Sequence, residues 1–145
     1  EYYNVGDLRQ VEALYSDTKS NLEDRAAFCQ KFAFSTENAV NETVTLVRPF
    51  AQINFGAADF APITELGLAM KSTVAFTGVA DKYDILNGTV TGDASTSFVA
   101  TTVPAQYATP ETLTVGNVDY AYVSMNYILA PISAVENKLA NITAT

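Results

Sequence analysis

The sequence predicts an all-β fold: a single β-sandwich domain of about seven strands, with a short helix near the N-terminus. Three observations predict it. From Asn41 onward, apolar and polar residues alternate with a period of two, in short runs separated by turn residues. Helical periodicity is confined to the first third, where residues 7–32 hold much of the charge. Hydrophobic residues make up 48% of the 145 positions and charged residues 17%, which suits one packed core and not a disordered tail. Residues 1–145 therefore read as one domain, with 1–40 a mixed lead-in of helix, loop and strand and 41–145 the main sheets.

Taken in order, Leu8–Tyr15 fits two patterns: Leu8, Val11 and Leu14 form a helical stripe, whereas Val11, Ala13 and Tyr15 alternate as a strand. Asn21–Gln30 reads as a short helix with Asn21 as N-cap, Glu23 and Asp24 in its first turn, and Phe28 facing the core. Strands are expected over Thr43–Phe50, Ser72–Val79, Tyr83–Val90, Thr96–Val103, Leu113–Val115 and Tyr120–Leu129, with a last one around Val135–Ile142. Asn87-Gly88 is the best hairpin signal, because both central positions of a type I′ turn require positive φ; Ile85-Leu86 and Thr89-Val90 would flank it.

Residues 121–129 form the clearest strand, with a central place in a sheet. Ala121, Val123, Met125, Tyr127 and Leu129 make an apolar face, and Tyr122, Ser124, Asn126 and Ile128 the other. Between Phe55 and Met70 a loop, with one helical turn at most, crosses over, since Pro62 and Gly67 interrupt anything longer.

Composition excludes several classes of function. A net charge of −8, with eight scattered Lys and Arg, offers no surface for nucleic acid or an anionic membrane. The absence of His removes the usual zinc ligand, the usual general base near neutral pH, and every Ser-His-Asp or Cys-His arrangement. Phosphate-cradling glycine loops are missing. Cys29, the single cysteine, lacks the neighbours that would activate a thiolate and reads as a small packing residue.

Asp81, Asp84 and Asp93 lie close in sequence but meet neither the spacing of a calcium loop nor any rule for a catalytic carboxylate pair, so they read as solvated loop acids. Tyr120, Tyr122 and Tyr127 share a strand but split between its faces, with Tyr127 taken as core. The sequons at Asn41, Asn87 and Asn141 would matter only in a glycosylating host. No catalytic, cofactor-binding or metal-ligating residue is assigned.

The chain begins at Glu1 without a signal segment and shows no apolar stretch long enough to span a bilayer. It reads as a mature product or an excised piece, and the strand-like character of Asn137–Thr145 suggests that further sequence follows.

Four segments carry a resemblance. Leu46–Gly56 (LVRPFAQINFG) resembles the "R-P-x-A-Q-I-x-x-G" strand of fimbrillin-like proteins, the surface-pilus subunits and related lipoproteins of Bacteroides-type bacteria. Ser72–Gly88 is similar to that family's next strand and its "y-d-l-x-x-G" turn, Tyr120–Leu129 to its "Y-x-x-M-N-Y-I-L" strand, and Asp24–Phe28 to a "D-A-F" segment. The resemblance implies a transthyretin-like sandwich, export to the outer membrane or a fimbrium, and assembly with other pilus subunits or copies of itself by a donated strand. The alternative it leaves open is an anchored lipoprotein module that binds a glycan or a host protein without polymerising. It implies no catalytic residue and no cofactor. Arg48, followed by Pro49, is expected either to point to solvent or to pair with a buried acid.

Overall fold

Apolar side chains at alternate positions make Ser72–Val79 a strand buried along one face, with Val74, Phe76 and Val79 each no more than 2% exposed. In the computed structural model, which describes residues 2–15, 25–37, 39–59, 66, 71–100, 112–130 and 141–145, it is one of ten strands among the described residues. These are β1 (Tyr3–Asn4), β2 (Val11–Ala13), β3 (Phe50–Ala57), β4 (Ser72–Val79), β5 (Lys82–Asp84), β6 (Thr89–Thr91), β7 (Ala94–Ala100), β8 (Thr112–Val115), β9 (Val118–Leu129) and β10 (Asn141–Ala144). They form three antiparallel sheets, in the orders β1-β2-β5-β6, β10-β4-β7 and β3-β9-β8.

The second and third sheets pack against each other in the manner of a β-sandwich. Val74, Phe76 and Val79 of β4 and Phe98 of β7 meet Ile128 of β9, with Ala51, Ile53 and Phe55 of β3 packed against the cluster. The rings of Phe76 and Phe98 lie edge to face, 5.4 Å apart and inclined by 86°. A bulge between Thr77 and Val79 leaves Gly78 without a partner on β7, at φ 73°. That extra residue restores the inward parity after Phe76, so that Val79 faces the same core.

A smaller core lies under the first sheet, built on Ala13, Tyr83 and Leu129. Tyr15 packs against both cores and ties them together. Its hydroxyl donates to the Ala80 carbonyl at 3.0 Å and accepts the Leu129 N–H at 3.2 Å.

Several expectations need correction. Of the helix expected over Asn21–Gln30, Asn21 to Asp24 lie outside the described residues, Arg25 is in a 3-10 turn, and from Ala26 onward the chain is not helical. Cys29 instead exchanges two main-chain bonds with Val47, at 2.9 and 3.0 Å, and Phe28 is 53% exposed. A single helical turn carries its nucleation cost without much propagation, so a β-bridge that satisfies the same groups wins. Of the two readings of Leu8–Tyr15, the strand holds over Val11–Ala13.

The strand expected at Thr43–Phe50 starts where that segment ends. Pro49 has no N–H to contribute to a ladder, and regular pairing begins only after it, with Phe50 opposite Leu129. The Tyr83–Val90 run is a hairpin of β5 and β6 with a wider loop than a type I′ turn. Asp84 pairs with Thr89, leaving Ile85–Gly88 as a four-residue turn with Gly88 at φ 68°.

The cause is the Asp84 carboxylate. It accepts the N–H groups of Leu86 and Asn87 at 2.8 and 3.0 Å and the Asn87 side-chain amide at 2.6 Å, closing the turn one pair earlier. β7 and β10 begin at Ala94 and Asn141, while residues 101–103 and 135–140 of the expected strands lie outside the described residues. So does most of the expected crossover, from residue 60 to 70 save the exposed Leu66.

β9 is central in its sheet as expected, and it is buried on both faces: Met125 and Leu129 of the apolar face are 5 and 6% exposed, and the other face is buried as well. Ser124 and Asn126 are 0% exposed and Ile128 2%, so the face that holds the polar residues is the one in the sandwich core. Tyr127, expected in the core, is half-buried on the other face. Burial of the polar face is affordable because its groups are bonded: the Asn126 amide donates to the Ile53 carbonyl at 3.2 Å and to the Ser124 hydroxyl at 3.1 Å.

Two measurements follow from this architecture. Phe76→Ala removes a fully buried ring and is expected to cost about 3–5 kcal/mol in denaturant unfolding, against about 0.5 kcal/mol or less for a typical surface change. For Asp84, a slight desolvation is outweighed by the hydrogen bonds from Asn87 and Leu86 and by the nearby Arg9, which hold its carboxyl below the ordinary value of 3.8. A depressed folded-state pKa stabilises above the unfolded value and is lost as pH falls through the folded one. Asp84→Ala is therefore expected to lower Tm at neutral pH, with the difference from wild type closing below about pH 4.

Candidate functional site

The three aspartates singled out in the sequence do not converge, and among the described residues no group of three His, Cys, Asp or Glu side chains comes together. Asp84 closes the β5–β6 turn. Asp93 is exposed between β6 and β7, and Asp81 ends the loop before β5, with a buried Oδ1 that finds no hydrogen bond among the described residues. Cys29 is a half-buried free thiol. Tyr122 is buried on the inner face of β9, whereas Tyr120 and Tyr127 are half-buried.

What the tertiary structure does bring together lies over the smaller core. β1, β2, the irregular segment 25–29 and the start of β3 surround a cleft of about 190 Å³. Its walls are almost wholly apolar, with Tyr3, Val11, Ala13, Cys29, Phe50 and Leu129 among them. Tyr3 and Phe50, contributed by strands in different sheets, face each other with ring centroids 6.0 Å apart. Tyr3, Ala13 and Phe50 also line an adjoining notch of about 20 Å³, flanked by Arg25 and Arg48.

Both guanidinium groups are held in place. Arg25 donates from Nη2 to the Leu14 carbonyl at 2.7 Å and lies 4.8 Å from the Tyr2 ring centroid, and the Tyr3 hydroxyl in turn donates to the Arg25 carbonyl. Arg48 takes the solvent-side alternative: it is exposed, and its Cζ lies 5.2 Å from the Phe28 ring and 5.3 Å from that of Tyr127. Tyr3 reports both charges, since burial raises its phenol pKa while Arg25 and Arg48 pull it back down.

Deeper in the wall, Tyr83 is 2% exposed and its hydroxyl makes no well-formed hydrogen bond among the described residues. Burial first, and then Cys29 and Asp84 beside it, push this phenol far above the ordinary range. Burial raises the Tyr15 phenol as well, against the bond from Leu129 and the charge of Arg25. Sequence reasoning found Arg48 but not Arg25, Tyr3 or Phe50. No spacing links them, because β1, β3 and the 25–29 segment meet only through packing.

The sandwich also presents open sheet edges. β7 and β10 flank β4, and β3 and β8 flank β9, each with one side unpaired among the described strands. β10 is a lightly buried edge: its register on β4 runs from Asn141 opposite Thr77 to Ala144 opposite Val74, and Ile142, Thr143 and Ala144 are all exposed.

Fold and site together define an all-β, sandwich-like domain with open strand edges and one aromatic cleft rimmed by arginines. The chain belongs to a family of unknown function, DUF6562, whose profile matches residues 1–144. It matches no curated protein and no solved structure.

The Tyr83 hydroxyl supplies a test of this wall. Tyr83→Phe removes a buried hydroxyl whose hydrogen-bonding neighbour is the Cys29 thiol, a weak partner, so stability at neutral pH is expected to hold or to rise by about 1 kcal/mol in urea unfolding. A phenol whose pKa is raised on folding stabilises below its unfolded value of 10.0 and loses that contribution as pH rises through the folded one. The variant is therefore expected to lose less stability than wild type above about pH 10.

Proposed function

We propose that this domain is a structural or adhesive subunit of a bacterial surface fimbria, assembled by β-strand donation on a transthyretin-like sandwich. The observation that carries the reading is the way the fimbrillin-like segments meet. Leu46–Gly56 supplies β3 and Tyr120–Leu129 supplies most of β9, and the two pair along their length from Phe50 opposite Leu129 to Phe55 opposite Ser124. Ser72–Gly88 supplies β4 and the β5 turn. The segments that carry the resemblance thus pair within the sandwich, which supports this reading.

The edge at β4 gives the mechanism a physical route. β10 is held there by main-chain bonds with little side-chain burial, and Thr145 continues the pairing with two bonds to Thr73, at 2.9 and 3.0 Å. A strand from a neighbouring subunit can satisfy the same N–H and C=O groups, while alternate side chains fill the face of the sheet. In this reading the domain is exported to the outer membrane and works at the cell surface, with other pilus subunits or copies of itself as partners.

A second reading, favoured by exposed aromatics, is an anchored lipoprotein module that binds a host protein or glycan without polymerising. Phe28, Phe32 and Phe34 are 53, 49 and 59% exposed, and the rings of Phe32 and Phe34 lie 5.7 Å apart. Such a cluster is a protein-binding surface on physical grounds.

Immunogold electron microscopy of native cells, with antibody against this domain, separates the two. Label along filaments is the expected result, and label at filament tips alone makes the domain an adhesive cap. Label confined to the envelope, with none on filaments, overturns polymerisation in favour of the binding module.

A further inference from the structure

We propose that the cleft between β1, β2 and the start of β3, with Arg25 and Arg48 at its rim, binds a small organic acid: an apolar group of ring size that carries one carboxylate. This inference stands apart from the assembly reading, since the cleft lies over the smaller core and not at the β4 edge.

The apolar half of the ligand follows from the volume and the walls. An apolar cavity of about 150 Å³ is enough for benzene. The cleft here measures about 190 Å³ and is lined by Val11, Ala13, Phe50 and Leu129, so it accommodates a phenyl ring or a short alkyl chain. It opens beside the exposed Phe28, which gives a path from solvent.

The acidic half follows from the rim. The adjoining notch, about 20 Å³, has room for about one water-sized group and shares Tyr3, Ala13 and Phe50 with the cleft, so the polar end of a ligand seated in the cleft lies beside it. Two guanidinium groups flank it. The chain has 16 acidic residues to eight basic ones, yet among the described residues neither Arg25 nor Arg48 forms an ion pair. Both are steadied on aromatic faces instead.

Both arginines line the notch, so an anion seated in it meets two positive charges. A planar carboxylate matches the guanidinium fork, and side chains already held in place lose little freedom on binding it.

Cys29, the only thiol in the chain, lies in the cleft wall and reports occupancy directly. The full chain is titrated with phenylacetate and hexanoate and, in parallel, with their neutral amides. Binding is read from NMR shifts and from the rate of Cys29 alkylation by iodoacetamide. The acids are expected to slow alkylation and to bind about tenfold or more tighter than the amides, as charge-assisted bonds to a guanidinium imply.

Arg48→Gln, at an exposed position, should abolish that preference, and Arg48→Lys should keep part of it. Equal binding of acid and amide overturns the proposal. So does unaltered alkylation of Cys29 at saturating acid, or a preference that survives Arg48→Gln in protein whose circular dichroism matches wild type.

Discussion

The buried polar seam of β9 is the constraint on which the sandwich depends. Asn126 and Ser124 are sealed from solvent, and the Asn126 amide can be satisfied only where the Ile53 carbonyl and the Ser124 hydroxyl lie within reach. A slip of β3 by one residue would leave the amide without that carbonyl and turn Ile53 and Phe55 away from Ile128 and Phe76. Unpaired polar groups in a core cost about 1–3 kcal/mol each, which is enough to select one register over its neighbours. The Ser72 hydroxyl adds a link across the sandwich by donating to the Val123 carbonyl at 3.3 Å.

From that seam the structure extends to the smaller core through Tyr15. Its hydroxyl is spent on two main-chain groups, the Ala80 carbonyl and the Leu129 N–H, so the end of β9 is tied to the approach to β5. Leu129 belongs to the smaller core, one residue beyond Ile128 in the larger. Consecutive side chains of a strand point to opposite faces, and β9 therefore divides the two cores at this step. The cleft forms where β1, β2 and β3 approach without filling the space above Leu129.

The same division separates two kinds of surface. Strand edges lie along the sandwich, where main-chain groups are offered without regard to side-chain identity. The arginine rim lies over the smaller core, where recognition depends on particular side chains.

The sequence by itself determined the all-β class, the extents of β4, β8 and most of β9, and the presence of a turn at Asn87-Gly88. These rest on period-two alternation and on turn chemistry, which are local. It did not determine that the polar face of β9 is buried as well as the apolar one. Ser124 and Asn126 look like surface residues until Ile53 supplies the carbonyl that permits their burial, and that carbonyl belongs to a strand 73 residues away. Asp84 likewise widened a loop that Asn-Gly alone would have made tight, and Cys29 exchanged a helical partner for Val47. Of the site, Arg48 was legible as a residue but its aromatic clamp and its neighbour Arg25 were not. Those contacts join segments with no shared periodicity, and only packing of the tertiary structure decides which side chains meet there.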